Sequence, residues 1–390
     1  MEKKAAIDLI NKTFNNRFDL EQYTLFLRNL VNDYDGEKEN DWSQGNYIYE
    51  SFREHISRFK RMGIYTDPEG AEMELLVIET KGASKLERAR TSLRNFVIRR
   101  LQDKNRDYAL AAFYSKEDNG ADWRFSFIKI EHESYKDTKG KVKTKKELTP
   151  AKRYSFLVGE HEQAYTAQKQ LLPVLQNDYS NPMMEDLEGC FSIEKVTDEF
   201  FEQYKDLYIK LSEHFETDKA VQKILKPTDI DTARFTKKLL GQIVFLYFLQ
   251  KKGWLGVPKT EDWGNGEKSF VQKLFSDADG KKKNFFNDYL KYLFYEALAK
   301  PRSGAEPSYY KRFDCKIPFL NGGLFEADYD WQAANFTIPN NLFRNEEKNK
   351  AGDKGTGVLD VFDRYNFTIK EDEPLEKEVA VDPEMLGKTD

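Results

Sequence analysis

The stretch from residue 57 to residue 81 constrains the fold more than any other part of the chain. Residues 57–66 and 71–81 are two runs of strand-forming residues. The segment TDPEG at 66–70 separates them and has Pro68 and Gly70 where a type I turn favours them. The second run, AEMELLVIETK, is rich in aliphatic residues through its middle. The pattern therefore predicts a β-hairpin.

The regions around this hairpin predict an α/β domain over residues 1–175. Ser84 and Glu87 have the capping-box spacing S-x-x-E, which is typical of the start of a helix. The predicted elements around the hairpin are helices at 3–14, 19–33 and 84–102 and strands at 107–115 and 123–131. A polar, lysine-rich loop is expected at 136–153.

Beyond residue 175 the pattern becomes helical. Residues 176–190 are rich in Pro, Asn and Asp and are interpreted as a linker. Helices are predicted at 197–215, at 228–252 with Thr228 or Asp229 as the N-cap, and at 283–300. Residues 191–390 are therefore expected to form a mostly α-helical domain.

Charge, cysteine content and the length of the apolar runs limit the class of protein and its cellular location. The chain has 390 residues and a formal net charge of −5, which argues against a generally basic nucleic-acid coat protein but not against local DNA binding. Cys190 and Cys315 are too few and too far apart for a disulfide framework or a zinc site. The strongest apolar run, at 243–249, is too short to span a bilayer. We expect a soluble, cytoplasmic protein without a membrane partner, whose four histidines hold no metal.

Glu79 and Lys81 are the residues whose pattern points to chemistry. They stand two apart at the end of the second hairpin strand, where side chains two apart share one face. A carboxylate can help to hold Mg²⁺, and an ammonium group can orient the attacking water or stabilise developing negative charge on a phosphodiester. The other interpretation is a surface ion pair with little energetic effect.

A second acidic metal ligand is harder to assign. Asp67 lies in the hairpin turn, which would place it far from Glu79 in simple register. Glu74 is on the same strand, about 17 Å from Glu79 and on the other face. Glu72, Glu50 and Glu54 are further candidates, and the sequence leaves the choice open.

Basic residues downstream suggest contacts with DNA. Arg90 and Arg94 lie at the edge of the apolar stripe of the helix at 84–102. They could pair with core carboxylates or reach a phosphate beside Glu79. Lys143, Lys145 and Lys146 of the loop at 136–153 are either phosphate contacts or ordinary solvated residues.

At this point the sequence resembles a family. The segments that carry the resemblance are IETKGASKLERARTSLRNFVIRRL at 78–101, LLGQIVFLYFLQKKGWLGVP at 239–258, FLNGGLFE at 319–326 and FDRYNFTIKEDEPLEKEVAVDPEMLGK at 362–388. They are similar to the N-terminal region of large type II restriction enzymes fused to adenine-specific DNA methyltransferases. The resemblance implies a restriction-endonuclease-like, PD-(D/E)xK-type domain followed by a helical connector. In it Glu79 and Lys81 match the acidic-x-Lys pair, Arg90 and Arg94 match the arginines of the next helix, and the family's upstream Asp has no clear counterpart.

The methyltransferase motifs of that family are missing from this sequence. NGG at 321–323, NPMM at 181–184 and WGNGEK at 263–268 are neither a cofactor loop nor a pocket for a flipped adenine. We expect S-adenosylmethionine to bind only in a downstream domain, and the chain alone not to methylate DNA.

Two hypotheses follow for a protein whose partners are double-stranded DNA and a methyltransferase chain or domain. The first is a Mg²⁺-dependent endonuclease domain plus connector. The second is a non-catalytic DNA-binding or assembly module, either a degenerate nuclease fold or a truncated methyltransferase-fusion product, that works with a DNA adenine methyltransferase.

Overall fold

The computed structural model describes residues 1–36, 40–42, 47–131, 134–136, 142–144, 152–177, 180–228, 230–304, 306–320, 322–331, 334–367 and 376–381. For residues 42, 87, 88, 134–136, 142–144 and 376–378 it describes the backbone only. Contacts within the chain divide it into two compact units. The first unit is Met1–Val196 with Lys370–Ala380, and the second is Thr197–Ile369 with Val381–Asp390.

The strands lie mainly in the first unit. They are β1 (Asn40–Trp42), β2 (Ile56–Thr66), β3 (Glu72–Thr80), β4 (Tyr108–Ser115), β5 (Asp122–Lys129), β6 (Ser134–Lys136), β7 (Val142–Thr144), β8 (Lys152–Gly159), β9 (Tyr309–Tyr310), β10 (Cys315–Lys316) and β11 (Glu376–Glu378). Seven of them form one sheet in the order β1-β2-β3-β4-β5-β8-β11. The β3–β4 and β8–β11 pairs are parallel and the other pairs of this sheet are antiparallel.

The helices occur in both units. They are α1 (Lys3–Phe14), α2 (Leu20–Leu30), α3 (Lys85–Arg88), α4 (Arg90–Lys104), α5 (Tyr165–Gln176), α6 (Met184–Gly189), α7 (Ile193–Thr217), α8 (Lys219–Leu225), α9 (Thr232–Lys251), α10 (Phe270–Gly280) and α11 (Val358–Phe362). The predicted α/β class is confirmed for the first unit, and the predicted linker at 176–190 includes α6. Within the described residues, no helix combines the length and the apolar character needed to cross a membrane.

The predicted hairpin is confirmed, and Asp67 explains its turn. One carboxylate oxygen of Asp67 accepts hydrogen bonds from the backbone N–H groups of Glu69 and Ala71, both at 2.9 Å. Such an Asp side chain replaces backbone partners that a tight turn leaves unpaired. From this turn β2 and β3 pair in antiparallel register from Thr66–Glu72 to Ile56–Thr80.

The sheet buries a different core on each face. On one face Leu76 and Ile78 of β3 belong to the same buried cluster as Leu93, Phe96 and Val97 of α4. The other face is aromatic, and its rings, taken from β5 and from α1 and α2, are Trp123, Phe125, Phe14 and Phe26. Because side chains alternate between faces along a strand, β3 presents Glu74 beside α4 and Glu79 on the opposite side.

Three local predictions were wrong. Ser84 does not cap a helix with its side chain, because its own backbone is already helical (φ −61°, ψ −19°). The helix predicted over 84–102 breaks at Ala89, whose φ of −110° and ψ of 24° separate α3 from α4. The helix predicted at 228–252 begins later, because the carboxylate of Asp231 caps it by accepting from the backbone N–H of Arg234 at 2.7 Å.

Several elements were not predicted, and one helix has an unexpected type. β8 begins inside the region expected to be a lysine-rich loop, and α5 follows it. The helix predicted at 283–300 is present at 285–298, with π-type hydrogen bonding over Phe286–Leu290 and Leu293–Leu298.

Candidate functional site

The candidate site lies where the parallel strands β3 and β4 end side by side. In their register Glu79 is opposite Tyr114, and Thr80 is opposite Ser115. On the other side of β3, Glu79 is opposite Arg58 of β2. Residues directly opposite in a ladder share a face, so Glu79 lies between an aromatic hydroxyl and a guanidinium.

The Glu79 carboxylate is surrounded by donors. The hydroxyl of Ser57 donates to its Oε1 at 2.7 Å, and the hydroxyl of Tyr114 donates to its Oε2 at 3.0 Å. The Nζ of Lys116 lies 2.8 Å from the same Oε2. Glu79 is only 8% exposed, whereas the side chain of Lys116 is 65% exposed. The carboxylate of Glu79 is therefore buried at the end of β3, whereas the lysine that pairs with it is largely exposed to solvent.

The electrostatics of the site keep Glu79 ionised. Burial by itself raises the pKa of Glu79, but the hydrogen bonds from Lys116, Ser57 and Tyr114 outweigh it, and the pKa lies below its ordinary value of 4.5. Burial and the neighbouring Glu79 charge raise the pKa of Tyr114 to about 12. Tyr114 therefore remains a hydrogen-bond donor at neutral pH, and the stacking of its ring on Phe18, at 4.4 Å between centroids, fixes its position.

A second carboxylate, Asp41, lies on β1 beside this group. The Nε of Arg58 donates to Asp41 Oδ1 at 2.8 Å, and a second guanidinium nitrogen contacts Asp41 Oδ2. This hydrogen bonding to Arg58 lowers the pKa of Asp41, with a smaller contribution from Lys116. The charge of Glu79 also helps to raise the pKa of Arg58, after the larger effects of Asp41. Asp41 and Glu79 thus belong to one charged group in which a cation accompanies each acid.

Lys81 does not pair with Glu79. It follows the end of β3, its backbone N–H donates to the carbonyl of His55 at 2.9 Å, and it is exposed. Among the described residues its ammonium group has no carboxylate partner. The amine that pairs with Glu79 is instead that of Lys116, which occupies the matching position just beyond β4.

Glu74, the first candidate for a second metal ligand, is fully buried in another place. Arg100 of α4 donates to its Oε2 at 2.6 Å, and Arg106 donates to its Oε1 at 3.2 Å. Arg61 lies 3.6 Å from the same Oε1. Glu74 therefore joins the sheet to α4 on the face away from Glu79, and the structure does not bring the two carboxylates together.

Asp67, the other candidate, lies at the far end of the hairpin. Its second carboxylate oxygen accepts from the backbone N–H of Met184 at 3.3 Å. The register places the turn beside Glu72, about 23 Å along the strand from Glu79. Asp67 cannot share an ion with Glu79 at that separation.

The remaining acidic candidates also lie apart from the Glu79 carboxylate. Glu72 pairs with Arg106 at 2.7 Å, and Glu54 contacts Lys85 at 3.4 Å. Glu50 begins a short 3-10 turn before β2.

The predicted DNA-binding residues fall into two groups. Arg90 and Arg94 are both buried on α4, and Arg94 contacts the amide oxygen of Asn95 at 3.2 Å. Their burial does not correspond to a DNA-facing surface. Lys143 lies in β7, for which only the backbone is described, and Lys145 and Lys146 lie outside the described residues.

These positions can be compared with what Mg²⁺ requires. Mg²⁺ prefers an octahedral set of oxygen ligands, usually including one or two carboxylates. Within the described ranges, no group of three or more His, Cys, Asp or Glu residues could hold a metal ion. Both oxygens of Glu79 already accept hydrogen bonds, and an ammonium group lies 2.8 Å from one of them. In this arrangement the residues do not fit a Mg²⁺ site.

Sequence reasoning missed Ser57, Tyr114, Lys116 and Asp41. One signal was available for Lys116, because it follows a strand-forming run at 107–115 just as Lys81 follows the one at 71–81. Only the pairing of β3 with β4 shows which of the two lysines meets the acid.

Comparison with known proteins gives one relationship. A Methanocaldococcus jannaschii protein that is named as a type II restriction enzyme and methyltransferase is 27% identical over 289 residues. The match covers 65% of this chain and 22% of that protein, so the chain spans about a fifth of its relative. The resemblance to type II restriction–modification proteins predicted from the sequence is confirmed. No protein-family model matches the chain, and no solved structure gives a significant match.

Proposed function

We propose that the chain is a DNA-binding component of a restriction–modification protein, and that its first unit is a restriction-endonuclease-like, PD-(D/E)xK-type module without metal-dependent activity. The observation that carries this proposal is the closed state of Glu79. Its carboxylate accepts from Ser57 and Tyr114 and pairs with Lys116, so both of its oxygens have partners within the protein, which supports a module that holds no metal.

Two exposed lysines support contact with DNA. Lys81 and Lys116 follow the ends of neighbouring parallel strands, so both residues stand at the same margin of the sheet. Among the described residues only Lys116 of this pair is balanced by a carboxylate, and Lys81 adds a positive charge to this margin. Phosphate contacts of this kind position a protein on DNA without reading its sequence. The name of the relative, which includes a methyltransferase, supports a methyltransferase chain or domain as the partner.

A Mg²⁺-dependent endonuclease is the second candidate. It is favoured by the presence of Asp41, a carboxylate on the strand next to β2 whose charge influences the same Tyr114 hydroxyl as Glu79. For this candidate to bind a metal, Lys116 would have to move away from Glu79 and Arg58 away from Asp41. The module proposed first requires neither change.

DNA binding tests the first proposal. Titration of a fluorescent duplex at several salt concentrations should give a linear fall of log K with log salt. The double variant Lys81→Ala/Lys116→Ala should weaken binding and reduce the magnitude of that slope by about 0.9 for each phosphate that the protein no longer neutralises. Lys104→Ala is a matched control, because Lys104 is also exposed but lies at the end of α4 beyond Arg100, the partner of the remote Glu74. Equal slopes for the double variant and the control would contradict the proposal.

Cleavage distinguishes the two candidates. The proposed module leaves supercoiled plasmid DNA intact with Mg²⁺ present. Mg²⁺-dependent nicking by the unmodified chain that Glu79→Ala abolishes would establish the endonuclease instead.

A further inference from the structure

The second unit contains an aromatic cavity of about 490 Å³. Its wall residues are Trp254, Trp263, Phe319, Pro301, Pro307, Pro318, Arg302 and Ser308. Trp254 is 37% exposed, and Trp263 and Phe319 are each 45% exposed. Large aromatic side chains that gather around one exposed cavity are a mark of a binding site rather than of a folding core.

Backbone hydrogen bonds hold the two tryptophans in place. The carbonyl of Gly253 accepts from the backbone N–H groups of Gly264 at 3.0 Å and Gly266 at 2.9 Å. Gly253 has a φ of +67°, and a Cβ there would lie 2.2 Å from the carbonyl oxygen of Gly264, so only glycine permits this close approach. Backbone hydrogen bonds therefore hold the segment of Trp254 against the segment of Trp263, and the fold of the unit keeps both indoles exposed.

Arg302 organises the opposite wall. Its guanidinium donates to the carbonyls of Pro307 at 2.8 Å and Ser308 at 3.3 Å, and also to those of Ala297 and Ile317. One side chain thus ties together three backbone segments on the proline side of the cavity. A wall fixed in this way costs little further ordering when a ligand binds.

Two cationic side chains, Lys252 and Arg302, lie at the cavity. The Nζ of Lys252 lies 5.0 Å from the ring centroid of Trp254 and 4.7 Å from that of Phe248. Together with Arg302, this ammonium group favours a partner that carries negative charge next to a flat apolar group. A quaternary ammonium ligand, which aromatic cages also bind, would be repelled.

We infer that this cavity binds an unpaired nucleobase of a DNA strand, with the base against the tryptophans and the adjoining phosphate near Lys252. Nucleobases stack on aromatic side chains whatever their sequence, and nearby cations follow the strand's backbone. A proline-rich peptide also uses aromatic grooves, but it has no negative backbone charge to match Lys252. The inference goes beyond the proposed function, because it adds a contact for single-stranded DNA in the other unit.

The test is the affinity of the full chain for a fluorescent single strand of about 12 nucleotides, a length within known site sizes. Trp254→Ala and Trp263→Ala should each weaken binding by about fivefold to a hundredfold, the range expected for removal of a base–aromatic stack. Trp254→Phe should keep most of the affinity. Phe201→Ala is the matched control, since Phe201 is an aromatic residue of the same unit that is also 37% exposed. Circular dichroism and thermal unfolding establish that each variant is folded.

Several outcomes would overturn the inference. They are unchanged affinity in both tryptophan variants, an equal decrease in Phe201→Ala, binding of adenosine monophosphate as tight as that of the strand, or displacement of the strand by a proline-rich peptide. The salt dependence of duplex binding is measured separately, on the double variant Lys81→Ala/Lys116→Ala. A failure at the tryptophans is thereby separated from a failure of the proposal for the first unit.

Discussion

Two acids on β3, Glu74 and Glu79, are both buried and both paired with cations, yet their surroundings differ. Glu74 is fully buried among three arginines, of which Arg100 belongs to α4. Glu79 accepts from two hydroxyl groups and pairs with one lysine whose side chain is 65% exposed. Five positions along one strand thus separate an ion-pair network inside the protein from an ion pair open to solvent.

The difference shows which acid contributes more to the stability of the fold. Arginine has a planar guanidinium with several fixed donors, and at Glu74 it uses them to join sheet and helix. Lysine has a flexible, strongly hydrated ammonium group, and the Lys116 side chain is 65% exposed. The Glu79 ion pair is therefore screened by solvent, whereas the Glu74 network stabilises the fold.

The largest effect should come from Glu74→Gln. The substitution leaves Arg100 and Arg106 facing a neutral amide inside the protein, and removal of one partner of a buried ion pair costs about 3–5 kcal/mol. Urea denaturation measures the free energy of unfolding. Glu72→Gln is the control, because Glu72 pairs with the same Arg106 but its side chain is 40% exposed, and the expected decrease is about 0–1 kcal/mol. Similar decreases in both variants would remove the distinction between the two acids.

Removal of the Glu79 side chain should have a smaller effect. Glu79→Ala takes the acceptor away from Ser57 and Tyr114, and an unsatisfied buried polar group costs about 1–3 kcal/mol. Glu79→Gln retains an acceptor oxygen and should destabilise the fold less. The same denaturation experiment measures both variants. A destabilisation in Glu79→Gln as large as that in Glu74→Gln would mean that the Glu79 ion pair is as rigid as the Glu74 network.

The sequence predicts the strands and helices around Glu74 and Glu79 better than it predicts the side chains that contact these two acids. Alternation along β3 places Glu74 and Glu79 on opposite faces, and the hairpin and the helix after it follow from local patterns. The partners of Glu79 do not, because Ser57 is 22 residues away and Tyr114 is 35 residues away. Such partners depend on strand order and register, and a parallel neighbour requires a crossover connection that separates the two strands in the sequence.

The arginines illustrate the same limit. The sequence leaves open whether Arg90 and Arg94 pair with core carboxylates or reach a phosphate, and it does not single out Arg100, the arginine of α4 that donates to Glu74. Helical periodicity places these residues near the sheet, but the tilt and position of α4 decide which one reaches Glu74. The sequence does not predict the cavity at Trp254 and Trp263 either. A backbone hydrogen bond between Gly253 and Gly264 brings together the two segments that carry these tryptophans.

Acid should abolish part of the stability that Glu79 provides. The pKa of Glu79 in the folded chain is below its ordinary value of 4.5. A group whose pKa is depressed by folding contributes stability above its unfolded pKa and loses it as the pH falls through the folded value. The difference in unfolding free energy between the unmodified chain and Glu79→Gln should therefore be constant near neutral pH and shrink below about pH 4. A gap that stays constant down to about pH 2–3 would show that ionisation of Glu79 does not stabilise the fold.

The smallest effect should be the coupling between Glu79 and its lysine. A double-mutant cycle with Glu79→Gln and Lys116→Ala should give at most about 1 kcal/mol, because solvent screens a pair with an exposed ammonium group. The matched cycle with Lys81→Ala should give about zero, because Lys81 makes no ion pair with Glu79. Raising the salt concentration should reduce the first coupling and leave the second unchanged. A larger coupling to Lys81 than to Lys116 would reverse the assignment of the amine. It would restore the acidic-x-Lys pair that the sequence alone predicts, and with it the case for metal-dependent cleavage.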